Sequence, residues 1–270
     1  MMKKTISTQF MQFVGILLAQ LAFVGCASNF KPADCSKLGG MVDHLPTHDR
    51  ICRRGFLVEH SPDFKTPVWV VEELTPQHIT NMAIPKRAFG WAFRTLPFQE
   101  DPDLISGRKS TLDDYKDIPF QRGHMVPAAD MARDQDAMKQ TFYLSNIAPQ
   151  LKSFNTGIWV ELEKAVRKLA NSGRTLVVIT GPVFEEPVTR IGGNAVAVPT
   201  QFFKIVFDTK NSALTAFLVP HIEVNSDKSP AEFKTNLKTL ESRVGTVFFP
   251  RLGSRKYELP AISSDESPWN

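Results

Sequence analysis

His124 lies in the run Phe120-Gln-Arg-Gly-His-Met-Val-Pro127. An imidazole is the side chain best suited to take a proton near neutral pH. Arg122, two residues earlier, can face a phosphate. Taken alone, an Arg-Gly-His run also fits an ordinary surface turn. Downstream, Asn155, Trp159, Glu163 and Arg167 recur every four residues, so they form a line down one side of a helix. An amide oxygen, a carboxylate and a guanidinium would project from that edge. Mg2+ needs few protein oxygens and keeps most of its waters, so one Asn plus a Glu that holds metal-bound water is a reasonable ligand set. Without an ion, the same residues read as a Glu163–Arg167 salt bridge preceded by a capping Asn155. Between the two groups, Tyr143-Leu-Ser-Asn-Ile-Ala-Pro-Gln150 ends a strand-like run with amides, among them Asn146.

Together these segments resemble the DNA/RNA non-specific endonucleases of the ββα-metal class, the group of secreted bacterial nucleases and endonuclease G. Three motifs in order carry the resemblance. They are Arg122-Gly123-His124 with Pro127; Leu144-Ser145-Asn146-Ile147-Ala148-Pro149-Gln150; and Asn155-Thr156-Gly157-Ile158-Trp159-Val160-Glu161-Leu162-Glu163 with Arg167. Softer similarity runs from about Cys52 to Pro250, through Asp114-Tyr115, Gly181 to Phe184 and Val198 to Lys204.

The resemblance implies an endonuclease dependent on Mg2+, with Mn2+ as a substitute, that cuts DNA or RNA at backbone phosphates. It assigns His124 as general base and Asn155 as direct metal ligand. Glu163 would hold metal-bound waters, and Asn146 would order the His124 or metal-water network, through water or from behind the ligand. Arg122 and Arg167 would contact phosphate, and Arg94 would stabilise the transition state. No base-reading element is apparent, so cutting without sequence preference is expected. One position departs from the pattern: Gln121 stands where the family has Asp. Gln can hydrogen-bond, but it brings no negative charge to a cation. Asp130 or Asp134 could compensate. Two other readings stay open, a nucleic-acid-binding lipoprotein with weakened catalysis and a metal-dependent phosphodiesterase of small esters.

The elements that must position these residues are mixed. Val68–Thr75 reads as a strand between prolines, and Arg174–Phe184 as another. Thr200–Thr209 and Leu214–Pro220 read as a hairpin-like pair. Helices are expected over Asp134–Phe142 and Thr156–Asn171. A last helix is expected from Ser229-Pro230 through Phe233, Leu237, Leu240 and Val244. Regular βαβ alternation is absent, so the expected class is α+β, with a largely antiparallel central sheet, flanking helices and a ββα-metal active-site motif.

The chain has 270 residues, 42% hydrophobic and 22% charged, which excludes disorder and fibrous folds. Lys+Arg 32 against Asp+Glu 28 leaves a net charge of +4, too mild to identify a nucleic-acid partner by itself. Lys3 and Lys4 precede an apolar run from Phe10 to Gly25, too short to span a bilayer and suited to a secretory signal. Gly25-Cys26 resembles a lipoprotein processing site, with Cys26 lipidated; a plain signal peptide cut nearby is the alternative. Residues 1–25 are thus read as signal, 26–50 as linker or cap, 51–255 as the nuclease domain and 256–270 as a loose tail. Export to the periplasm or outer membrane, or secretion, is expected, with any membrane contact made through the lipid alone. Of the 3 Cys, Cys35 and Cys52 would then pair in an oxidising compartment, with two free thiols as the alternative. The sequence leaves the oligomeric state open, a homodimer included.

Overall fold

A computed structural model describes residues 33–79, 96–225, 227–263 and 269. The signal segment, Cys26 and Arg94 lie outside the described residues. The strands are β1 Asp49–Cys52, β2 Phe56–Ser61, β3 Thr66–Leu74, β4 Phe120–His124, β5 Ile147–Leu151, β6 Leu176–Val183, β7 Arg190–Ile191, β8 Val196–Ala197, β9 Gln201–Asp208, β10 Ala213–Pro220 and β11 Lys234–Thr235. Seven of them form one sheet in the order β1-β2-β3-β6-β9-β10-β11, and each neighbouring pair is antiparallel.

The central strands are apolar on both faces because both faces are covered. Side chains alternate across a strand, so Val70 joins one core while its neighbour Val71 joins the other. The first core takes its helical partner from Ile158–Asn171, whose Ile158, Leu162, Val166 and Leu169 pack with Val58, Val178 and Val206. The second is closed by Leu38 and by Leu237 and Leu240, packed with Trp69, Val177 and Phe203. In chain order the helices are α1 Cys35–Gly39, α2 Pro76–Ile79, α3 Gln135–Thr141, α4 Lys152–Thr156, α5 Ile158–Asn171 and α6 Leu237–Val244. The Cys35–Cys52 disulfide is formed and ties α1 to the edge strand β1.

Strands β4 and β5 make a separate antiparallel ribbon, with Gln121 opposite Gln150 and His124 opposite Ile147. Helices α4 and α5 follow directly, completing a ββα unit that sits on the first core. The α+β class and antiparallel sheet therefore stand as expected from the sequence.

Four details differ. Strands β1 and β2 were not expected, because β2 buries all six residues, Glu59 and His60 included, and so shows no polar alternation. Asn155 does not cap the long helix. It lies in the one-turn α4, and Gly157 occupies the cap of α5. A Cβ at Gly157 would sit 2.4 Å from the Ser153 carbonyl oxygen, so only glycine lets the two helices join this closely. The last helix is broken: Ser229 and Glu232 box a 3-10 turn at Pro230–Phe233, β11 follows, and Asn236 starts α6 by accepting from Lys238 N at 2.8 Å and Thr239 N at 3.3 Å. The tail read as loose packs where it is described. Lys256 Nζ donates to Glu241 Oε1 at 2.6 Å, Ile262 is buried, and buried Trp269 meets Phe217 at 4.9 Å.

Candidate active site

Along β4, residues alternate between faces, so Arg122 and His124 point the same way. Both bear on Phe98. The Arg122 guanidinium lies 4.6 Å from that ring's centre, and the His124 ring centroid is 5.4 Å away. Phe142 closes on His124 edge-on at 4.9 Å. Gln99 fixes this wall, its N–H donating to Phe142 O at 3.0 Å and its carbonyl accepting from Leu144 N at 2.9 Å. Burial pushes the His124 imidazole down to about 4, so the ring is neutral at physiological pH and can accept a proton. Its Nε2 is buried without a hydrogen-bond partner among the described residues. Gly123 is required beside it, since a Cβ there would lie 2.1 Å from the Gln150 side chain.

Asn146 is fully buried and its amide is spent on backbone. Oδ1 accepts from Val126 N at 2.9 Å, while Nδ2 donates to Val126 O at 3.0 Å and Thr141 O at 2.9 Å. Those bonds hold the chain just after His124. Both amide hydrogens are thus used, and the residue acts on His124 through the backbone that follows it.

Asn155 Nδ2 donates to Gln121 Oε1 at 2.9 Å. This bond orients the Asn155 amide and leaves its Oδ1 as a hard-oxygen acceptor. The Gln at the departing position thus makes a contact that a carboxylate there could also make. The compensating acids are committed elsewhere. Asp134 caps α3 through Ala137 N at 2.9 Å and pairs with Arg54, and Asp130 accepts from Arg167 at 2.8 Å.

Arg167 pairs with Asp130, its side chain 14% exposed, and Glu163 and Glu72 lie close enough to act on its charge as well. Glu163 faces a buried charged group beneath α5. Burial pushes its carboxyl up to about 7, against the pull of Arg167 and Lys204. Lys204 on β9 is buried, donates to Thr180 Oγ1 at 2.6 Å and lies 4.9 Å from the centre of the Trp159 ring. Buried Glu72 on β3 faces the same group, its carboxyl raised by desolvation. Sequence reasoning gave Lys204 and Glu72 no role. The signal was a charge inside an apolar strand run, Lys204 in β9 and Glu72 beside Glu73 in β3, which cannot be buried unpaired. Phe98 carried no such signal, because only the fold brings it against His124.

The residues present fit a hydrated divalent ion. Among the described residues, no three His, Cys, Asp or Glu cluster as a metal cage. An oriented Asn oxygen with a carboxylate behind it suits Mg2+, which keeps several waters and takes few protein ligands.

A model of the DNA/RNA non-specific endonuclease family matches residues 40–254. A nuclease of Syncephalastrum racemosum is 30% identical, over 91% of this chain and 87% of that protein. Mitochondrial endonuclease G of Homo sapiens is 32% identical, over 78% and 73%. Nuclease C1 of Cunninghamella echinulata var. echinulata is 34% identical, over 76% and 84%. Among solved structures, the EndoG/EndoGI complex aligns with a TM-score of 0.69 at 26% identity, covering 78% of this chain and 89% of the matched one.

Proposed function

The chain belongs to the DNA/RNA non-specific endonuclease family, hydrolases of nucleic acid, and from that premise we propose that it cuts DNA or RNA backbones with His124 as general base and Mg2+ as cofactor. The observation that carries this reading is His124 walled by Phe98 and Phe142 on the same strand face as Arg122, beside the oriented Asn155 amide.

Nε2 of His124 is closed to solvent, which leaves Nδ1 as the nitrogen to act on the water. It takes one proton as the water oxygen attacks phosphorus. The phosphorus–oxygen bond to the leaving group breaks as the new bond forms. Arg122, stacked on Phe98, presents its guanidinium to a phosphate oxygen and orients the scissile group. Asn155 Oδ1, set by Gln121, and the Glu163 carboxylate would hold the hydrated ion, Asn155 directly and Glu163 through water. When bound, that ion supplies charge neutralisation at the phosphoryl and departing oxygens. Arg167 serves this site indirectly, by holding Asp130 beside α5. Binding through phosphates alone makes cutting tolerant of sequence. We place the enzyme outside the cytoplasm, as an exported lipoprotein anchored at Cys26. The Cys35–Cys52 bridge supports an oxidising compartment.

The test is incubation of supercoiled plasmid and of a long RNA with the purified protein in Mg2+, in Mn2+ and in EDTA. Nicking and degradation that EDTA abolishes support the proposal. Binding without cleavage would support the weakened-catalysis alternative. Activity confined to bis-p-nitrophenyl phosphate would support the small-ester alternative.

A further inference from the structure

His221, at the end of β10, is buried and makes three hydrogen bonds to backbone. Its Nε2 receives the Leu151 N–H at 2.7 Å, its Nδ1 meets the Pro199 carbonyl at 2.8 Å, and its own N–H donates to Thr200 O at 2.9 Å. A carbonyl can only accept and a backbone N–H can only donate. The ring must therefore carry its hydrogen on Nδ1 and a lone pair on Nε2, which makes it neutral. Around it stand three aromatic rings. Phe154 and Phe202 present themselves edge-on at 5.2 and 5.1 Å, and Phe120 lies at 6.0 Å.

The elements joined are those of the ββα unit. Phe120 opens β4, Leu151 closes β5, and Phe154 is buried in α4 immediately before Asn155, stacked on Trp159 at 5.4 Å. The turn from β5 into α4 has no side-chain cap at Leu151. Its N–H is instead held by His221. Burial opposes protonation of the ring and the Pro199 carbonyl favours it. Lys152, next to Leu151, and Glu223, two residues past His221, are both exposed.

We infer that His221 is a positioning residue for Asn155: the neutral imidazole staples the end of β5 to the 199–200 segment and so fixes where α4 presents the Asn155 amide. This rests on the reading of Asn155 as a metal ligand. The staple works only with an unprotonated Nε2, since a protonated ring cannot receive the Leu151 N–H and would leave that donor facing another donor.

Two variants separate the staple from simple packing. His221→Phe keeps an aromatic volume and loses both ring bonds. His221→Asn places an amide where Nδ1 stands, so it can still donate to Pro199 O but is too short to receive the Leu151 N–H. Both are compared with wild type and Asn155→Ala at pH 7.5. One readout is Mn2+ binding to the metal-free protein followed by electron paramagnetic resonance. The other is amide hydrogen exchange of the segment 150–156 without metal. Both His221 variants should weaken Mn2+ binding about 3–30-fold, at or below the range seen when partners of metal ligands are removed, and should speed exchange in 150–156. Adding His221→Asn to Asn155→Ala should weaken binding little further. If His221→Phe does not fold, His221→Asn decides. Wild-type Mn2+ affinity and exchange in folded His221→Asn would overturn the inference. Unchanged Mn2+ binding in Asn155→Ala would instead overturn the metal-ligand reading, and that outcome is distinguishable because His221→Asn would still speed exchange.

Discussion

Replacing Glu163 with Gln should stabilise the metal-free protein at alkaline pH and leave it nearly unchanged in acid. Burial raises this carboxyl from its ordinary 4.5 to about 7 in the folded chain. Below 4.5, folded and unfolded states both hold the proton and nothing is gained or lost. As pH rises from there, the unfolded chain releases its proton first, so stability falls until the folded group also ionises near 7. Above that, the full cost of a buried carboxylate remains. At about 1.4 kcal/mol per tenfold change in proton affinity, the cost reaches roughly 3 kcal/mol at pH 8 and is about 1 kcal/mol or less at pH 5. Lys204 and Arg167 already offset part of the burial cost, and that offset is contained in the value of about 7. Glutamine mimics the protonated acid, so it removes the pH-dependent part. At roughly 2–4 °C per kcal/mol for a chain of this size, Glu163→Gln should melt on the order of 5–10 °C higher than wild type at pH 8 in EDTA. The difference should shrink to a few degrees at pH 5. Millimolar Mg2+ should narrow the gap by stabilising wild type more than the variant. Differential scanning calorimetry at pH 5, 6, 7 and 8 measures all of this. An equal Tm difference at pH 5 and pH 8, or a variant less stable than wild type at pH 8, would refute the reasoning.

Gln121→Asp should lower the Mg2+ concentration needed for half activity and move the pH optimum upward, because the carboxylate keeps the Asn155 contact and adds a negative charge near the metal waters; a magnesium titration at several pH values in which the requirement is unchanged or weaker would sink this. Gly123→Ala should cost about 1–3 kcal/mol, since the new methyl would lie 2.1 Å from the buried Gln150 side chain and force it to move, and a variant with wild-type Tm and turnover would contradict this packing. Reducing Cys35–Cys52 should lower stability by about 3 kcal/mol through the freed loop, read as a shift in the denaturation midpoint between Cys35→Ser/Cys52→Ser and the oxidised parent. A shift near zero would mean that the bridge leaves stability unaffected.

Much of this site is readable in the sequence because its chemistry is local. Arg122 and His124 share one strand, and Asn155 and Glu163 lie on the two short-linked helices α4 and α5 that follow the ribbon. Other contacts depend on residues from elsewhere in the chain. Asn146 is claimed by Val126 and Thr141, and Arg167 by Asp130, 37 positions away. Neither partner is visible in a motif. The central strands β3, β6, β9 and β10 were legible as apolar runs, whereas β2 hid because Glu59 is buried and satisfied by Arg50 and His44. The last helix broke where Asn236 restarts it, a capping signal that competed with an unbroken apolar spacing. His221 carried no motif at all, and its place depends on Leu151 and Pro199, 70 and 22 positions away.

On the proposed function, the Arg122–His124 face of the ribbon performs metal-assisted hydrolysis of nucleic acid. The most direct measurement is plasmid nicking by purified His124→Ala beside wild type, at saturating Mg2+ and in EDTA, with melting curves of both. Wild type should nick in Mg2+ and stop in EDTA, and His124→Ala should remain folded at the assay temperature, with some loss of Tm from the space left between Phe98 and Phe142, yet turn over about 10²–10⁴-fold more slowly, the range for a lost general base. A folded His124→Ala that nicks at the wild-type rate would contradict the account.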